Sequence, residues 1–122
     1  PQHPVASHDV DLFHTVAIVK VPDAMTFGFG DEDVDLRLLA DIDHLNFREL
    51  PAGSRLGWLR EGADGQLDVR DDNDQDVFTR YFSIEDGVLC TSSAFMPSMF
   101  TLDKRVIRQD CLGYLMERLL PE

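Results

Sequence analysis

Lysine is nearly missing from this chain, with Lys20 and Lys104 the only two among 122 residues. The remaining basic residues are arginines scattered along the sequence, so that 11 bases face 23 acids and the formal net charge is −12. Recognition of a phosphate backbone or an anionic membrane surface needs clustered Lys and Arg. Direct nucleic-acid binding and attachment to an anionic membrane are therefore excluded. Cysteine is also scarce. Cys90 and Cys111 stand too far apart for a C-x-x-C metal or redox pattern, and both fall in apolar segments, where free thiols behave as small hydrophobes. No apolar run approaches the roughly 18–20 residues that span a bilayer. The longest, Thr15 to Val21, contains Lys20 and stops at Pro22. The sequence has no G-x-S-x-G elbow, no H-E-x-x-H and no phosphate-binding G-x-x-x-x-G-K-[ST]. Gly28-Phe29-Gly30 is a bare G-x-G leading into a strand rather than a helix, which removes the dinucleotide reading.

What is present suffices for a folded domain. Hydrophobic residues make up 43% of the chain, including eight Phe. A chain of this length buries about two-thirds of its unfolded surface as one domain. Residues 1–9 lack periodicity and read as a flexible N-terminal arm, leaving 10–122 as a single domain. The β-branched run Thr15–Val21 predicts a strand, because χ1 of such residues is stiff on a helix. Val34 to Ile42 alternates apolar and polar and predicts a half-buried strand. Ser54–Arg60 and Leu67–Arg70 read as two further strands. Val77–Ile84 reads as an aromatic strand, followed by a hairpin loop at Glu85-Asp86-Gly87 and a return strand from Val88 to Phe95 ended by Met96-Pro97. Ile107, Cys111, Leu115 and Leu119 recur at i, i+4 spacing and predict a C-terminal amphipathic helix, capped by Thr101 or Asp103 and stopped by Pro121. The expected fold is α+β: an antiparallel β-meander of five to seven strands covered by that helix.

The acids are concentrated. Asp31-Glu32-Asp33-Val34-Asp35 and Asp71-Asp72-Asn73-Asp74-Gln75-Asp76 both fall at expected turns, where Asp is a natural turn former. Their density exceeds that need, since two carboxylates about 4 Å apart repel by roughly 1 kcal/mol even in bulk water. Solvation, a bound cation, a basic partner or adaptation to high salt are the four accounts the residues admit. Asp72, Asp74 and Asp76 share the alternate spacing of the first half of a Ca²⁺ loop. The EF-hand form then fails, with Val77 in place of its glycine and Ser83 in place of its bidentate glutamate, leaving only an irregular Ca²⁺ site. His8-Asp9-Val10-Asp11 lacks the second histidine of a metal pair. Cys90, Ser92 and Ser93 are nucleophiles without an evident base, His14 and His44 being the candidates. Trp58, Phe78, Tyr81, Phe82 and Phe95 suit a core or an aromatic ligand pocket.

Met96-Pro97-Ser98-Met99-Phe100 is apolar where a connection is normally polar, which suits a contact patch. These features together predict a small acidic, non-enzymatic binding or regulatory protein of the inhibitor, immunity, secretion-chaperone or nucleic-acid-mimic kind. It would meet a basic partner protein through Asp31, Glu32, Asp33, Asp35, Asp71, Asp72, Asp74 and Asp76, with Met96, Met99 and Phe100 as an apolar centre. The alternatives are a divalent-cation domain using the Asp71–Asp76 turn, and a small ligand-binding domain or enzyme with an aromatic pocket. The cytoplasm is the expected compartment; because the chain begins at Pro1, a processed secreted or periplasmic form stays open.

Overall fold

A computed structural model describes residues 12–63 and 65–119. The expected N-terminal arm and the His8–Asp11 segment lie outside the described residues. The chain is mostly β, built as two sheets with a few short helical segments. Its strands are β1 (Phe13–Lys20), β2 (Phe27–Phe29), β3 (Leu36–Leu38), β4 (Arg55–Leu59), β5 (Asp68–Arg70), β6 (Phe82–Glu85), β7 (Val88–Thr91), β8 (Met96–Ser98) and β9 (Gly113–Arg118). A 3₁₀ turn covers Ile42–Leu45, and two short α-helices follow, α1 (Phe78–Tyr81) and α2 (Lys104–Gln109). The four-stranded sheet runs β5-β1-β9-β8 and the five-stranded sheet runs β2-β3-β4-β7-β6. Every pairing is antiparallel except β2 with β3. One core gathers side chains from both sheets: Ala17, Val19, Val69 and Leu115 from the first, Phe27, Leu36, Leu38, Leu56, Phe82 and Leu89 from the second.

β1 forms where the β-branched run predicts it, with Ala17 and Val19 buried at period two. It lies inside its sheet, with Ile18 opposite Arg70 on one side and Tyr114 on the other. The β6–β7 hairpin also forms, with a tighter loop than the three residues expected. Glu85 pairs with Val88, so only Asp86 and Gly87 turn, at φ 53° and 77°. That is the two-residue primed turn whose twist suits a hairpin, and it is the reason for Asp-Gly there.

Five expectations are corrected. The single meander is instead two sheets. The C-terminal helix is only six residues long, capped by Asp103, whose carboxylate accepts from Arg105 N and Val106 N. It closes at Asp110, whose amide still donates to Val106 O, and by Leu112 the chain is bonded to Val19 O. Residues 113–118 are then a strand between β1 and β8, with Gly113 and Leu115 inward. A glycine costs about 1 kcal/mol within a helix, whereas here it is required. A Cβ on Gly113 would collide with the Phe100 ring. Ile107, Cys111 and Leu115 of the expected stripe are buried but Leu119 is exposed, and two-sided pairing selects a strand for the stripe's second half. The long strand over Val34–Ile42 shrinks to Leu36–Leu38, because residues 30–35 are consumed in returning the chain to run parallel to β2. The strand over Val77–Ile84 begins as α1, which sends Phe78 and Tyr81 together into the core before β6 starts at Phe82. Likewise Met96-Pro97 does not end a strand but forms β8, while β7 stops at Thr91.

Candidate functional site

The first acidic run is the β2–β3 connection, and its carboxylates hold the return. Asp35 Oδ2 accepts from the Thr26 amide (3.2 Å), and the Asp35 amide donates to Thr26 Oγ1 (2.8 Å). Glu32 Oε2 accepts from the Phe29 amide at 3.1 Å, and Glu32 Oε1 receives Lys104 Nζ at 2.6 Å, tying the arch to α2. Arg60 reaches Asp33 at 2.6 Å and Asp35 at 3.9 Å. The Lys104 ammonium, with help from the Phe29 N–H, lowers the Glu32 carboxyl from its ordinary 4.5. Three of the four acids thus have partners in the chain. Asp31 is exposed and has none among the described residues.

The second run is a different object. Asp71 Oδ1 accepts from the amides of Asn73 (2.9 Å) and Gln75 (3.0 Å), an Asx-type turn. Backbone bonds from Asp74 N to Asp71 O (2.9 Å) and from Asp71 N to Gln75 O (3.1 Å) close the loop. Asp74 takes the left-handed conformation, φ 61°, which Asp tolerates better than most residues. Asp76 Oδ1 accepts from Phe78 N at 2.9 Å, starting α1. Arg70 is turned inward to the loop's base, donating to Asp68 Oδ1 (2.8 Å) and to the Asp74 carbonyl (3.1 Å). The carboxylates of Asp72 and Asp74 are exposed and receive no hydrogen bond or ion pair from the described residues. The two runs follow edge strands of different sheets, β2 and β5.

Among the described residues no three His, Cys, Asp or Glu side chains gather closely enough to hold a metal ion. Asp72, Asp74 and Asp76 therefore do not converge as a Ca²⁺ site requires. Among the described residues no histidine is hydrogen-bonded to the nucleophile candidates. His14 and His44 are exposed, while the hydroxyls of Ser92 and Ser93 donate to the Thr79 and Arg80 carbonyls. Cys90 and Cys111 are free thiols, and burial pushes the Cys111 thiol up, away from the reactive thiolate. Phe78, Tyr81, Phe82 and Phe95 pack on one another, with Phe78 stacked on Phe82 at 5.5 Å and Tyr81 edge-on to Phe95 at 6.0 Å. Burial and the nearby Glu117 carboxylate raise the Tyr81 hydroxyl above its ordinary 10. Trp58 stands apart, half-buried on β4, with the Arg37 and Arg55 guanidinium groups 4.7 and 5.5 Å from its ring. Surface grooves of about 550 and 540 Å³ flank the β6–β7 hairpin, and neither is lined by an aromatic side chain.

The expected apolar centre is divided. Phe100 is buried and Met96 half-buried on β8, whereas Met99 is 65% exposed. Phe47, which the sequence reading passes over, is 55% exposed on the neighbouring segment. Its signal was a lone bulky apolar residue between Asn46 and Arg48, inside a polar turn. Asn46 joins the two segments: its Nδ2 donates to Phe100 O (2.9 Å) and its Oδ1 accepts from Phe100 N (2.8 Å). Compared with known proteins, the chain matches no family model, no curated protein and no solved structure.

Proposed function

We propose that this chain is a small non-enzymatic binding protein that meets a basic partner protein through the 71–76 loop. One observation carries the reading. Asp72 and Asp74 are held outward on a loop fixed by the carboxylate of Asp71, and no cation among the described residues pairs with them. A fixed, exposed pair of carboxylates without a direct ion pair, on a chain of charge −12, attracts a cationic surface and orients its approach. Glu32, Asp33 and Asp35 add to that field, but their contacts with Lys104 and Arg60 make them braces of the fold first. Inhibitor, immunity, chaperone and nucleic-acid-mimic roles are all forms of this reading.

The test is capture at low salt and at about 0.5 M salt, where screening removes long-range attraction. The wild-type chain is compared with a variant carrying Asp72→Asn and Asp74→Asn. A basic protein retained by the wild type at low salt, and lost both at high salt and in the variant, supports the reading. Retention of no basic protein, or equal retention by the variant, removes it.

A further inference from the structure

We infer that the outer face of the five-stranded sheet docks an acidic segment of a partner protein, its carboxylates received by Arg37 and Arg55 beside Trp58. This site stands apart from the loop reading above, since it lies on another sheet and takes the opposite charge. It begins with a break in register. Arg55 pairs with Cys90 and Gly57 with Leu89, so Leu56 is an extra residue on β4, a β-bulge. In a regular strand, residues three apart face opposite sides. The bulge turns Arg55 and Trp58 to the same side, and pairing of Arg37 with Trp58 brings Arg37 there as well. That side is the outer one. Leu36, Leu38, Leu56 and Leu89 fill the core, whereas Arg37 and Trp58 are half-buried and Arg55 is exposed. The two guanidinium carbons lie 4.7 and 5.5 Å from the one indole ring.

What this group receives follows from what it lacks. Arg60, Arg70, Arg108 and Arg118 each reach a carboxylate, yet Arg37 and Arg55 form no ion pair among the described residues of a chain with 23 acids. Arg37 is fixed further by its Nη1, which donates to Gly30 O at 3.0 Å. A guanidinium packed on a ring keeps its other in-plane N–H groups free, and these match a carboxylate two at a time. The acids of this face stand at its margins. Glu32 lies over Gly28, already bonded to Lys104, and Glu85 is exposed on the edge strand β6. The middle of the face is the positive ground. Neither groove beside the β6–β7 hairpin is lined by Arg37, Arg55 or Trp58, so the three form an open surface. Such a surface suits a protein segment, whereas a small molecule needs a cavity that buries it. Trp and Arg are also the side chains that most often dominate protein interfaces. A phosphate backbone would need more bases than two against a net charge of −12.

Trp58 is the single tryptophan of the chain, so its emission reports on this face alone. The experiment titrates the full chain with a synthetic peptide that alternates Glu and Leu. Its controls are the same peptide with Gln or with Lys in place of Glu, and a single-stranded oligonucleotide. Docking predicts a saturable change in Trp58 emission with the Glu peptide, matched by amide shifts at Arg37, Trp58 and Cys90 in the ¹⁵N-labelled chain. Arg55→Gln should weaken that binding about tenfold, as loss of a dominant interface residue does, at an unchanged thermal midpoint. Arg55→Lys, which keeps the charge without the fork, should fall between the two. Asp72→Asn combined with Asp74→Asn should not weaken it, which separates this face from the loop. No saturable change with the Glu peptide overturns the inference, and so does equal binding of the Gln or Lys peptide. Undiminished binding by Arg55→Gln overturns it too; if that variant melts lower, the peptide controls on the wild type decide. An equal response to the oligonucleotide, or dimerisation that produces the same signals, also overturns it.

Discussion

Gly57 and Asn46 show how much of this fold hangs on single side chains or their absence. Gly57 pairs with Leu38 on one side and Leu89 on the other, and a Cβ there would collide with the Arg37 carbonyl oxygen. Backbone in the middle of a sheet cannot step aside. Gly57→Ala is expected to lower stability by about 1–3 kcal/mol, the usual cost of overpacking, seen as a reduced urea midpoint at unchanged slope. Asn46 acts in the opposite sense, by supplying what would otherwise be missing. Its amide satisfies both backbone groups of Phe100 across 54 positions of sequence. Asn46→Ala strands a part-buried donor and acceptor and should cost about 1–3 kcal/mol. The same variant should also free the 97–101 segment, measured as faster amide exchange there. Protection left intact in Asn46→Ala would show that the segment is held by other means.

Among the elements, the β2–β3 arch turns charge into structure. Lowering of the Glu32 carboxyl by Lys104 fixes the sign of its pH dependence. A carboxyl lowered in the folded state adds stability above its ordinary 4.5 and loses it as pH falls through the lower folded value. Glu32→Gln keeps an acceptor for the Phe29 amide but removes the charge. Its denaturation midpoint, followed from about pH 6 to pH 3, should lie below the wild type at the upper end and converge with it at the lower. Parallel curves would show the Lys104 pair to be inert, as many exposed pairs are. Element by element, the sequence was legible where one physical term dominated. β-Branched residues made β1, and an Asp-Gly pair made the β6–β7 turn. It was illegible where two periods shared residues. Ile107, Cys111 and Leu115 satisfy a helical stripe, and Leu115 with Gly113 equally satisfies a strand. Only the neighbours β1 and β8 decide between them, and no local pattern announces those. Both acidic runs were readable as turns, but that Glu32, Asp35, Asp71 and Asp76 would accept backbone N–H bonds was not. That use depends on where the chain returns. Phe47 was hidden because one apolar residue in a polar stretch carries no periodicity at all.

For the molecule as a whole, charge sets the response to ions. A net charge of −12 destabilises the compact state by self-repulsion, which salt relieves. Because the Asp72, Asp74 and Asp76 carboxylates do not converge, millimolar Ca²⁺ should raise the melting midpoint no more than Mg²⁺ at equal ionic strength. A Ca²⁺-specific rise of several degrees would restore the cation site. Neutralising Asp72 and Asp74 together should leave the midpoint unchanged or slightly higher, since neither carboxylate has a bonded partner among the described residues to lose.

The β1–β9 pairing has a consequence in time rather than in space. Phe13 lies opposite Arg118, so the first strand of the four-stranded sheet waits for the last. During synthesis, β2 to β7 can assemble the whole five-stranded sheet while β1 still lacks its longest neighbour. Closing so distant a contact is slow, because the entropy of the intervening loop is lost before any pairing repays it. Until β9 leaves the ribosome, β1 offers unpaired N–H and C=O groups to any passing strand. Premature termination between Thr91 and Gly113 therefore yields a chain with one finished sheet and one adhesive edge.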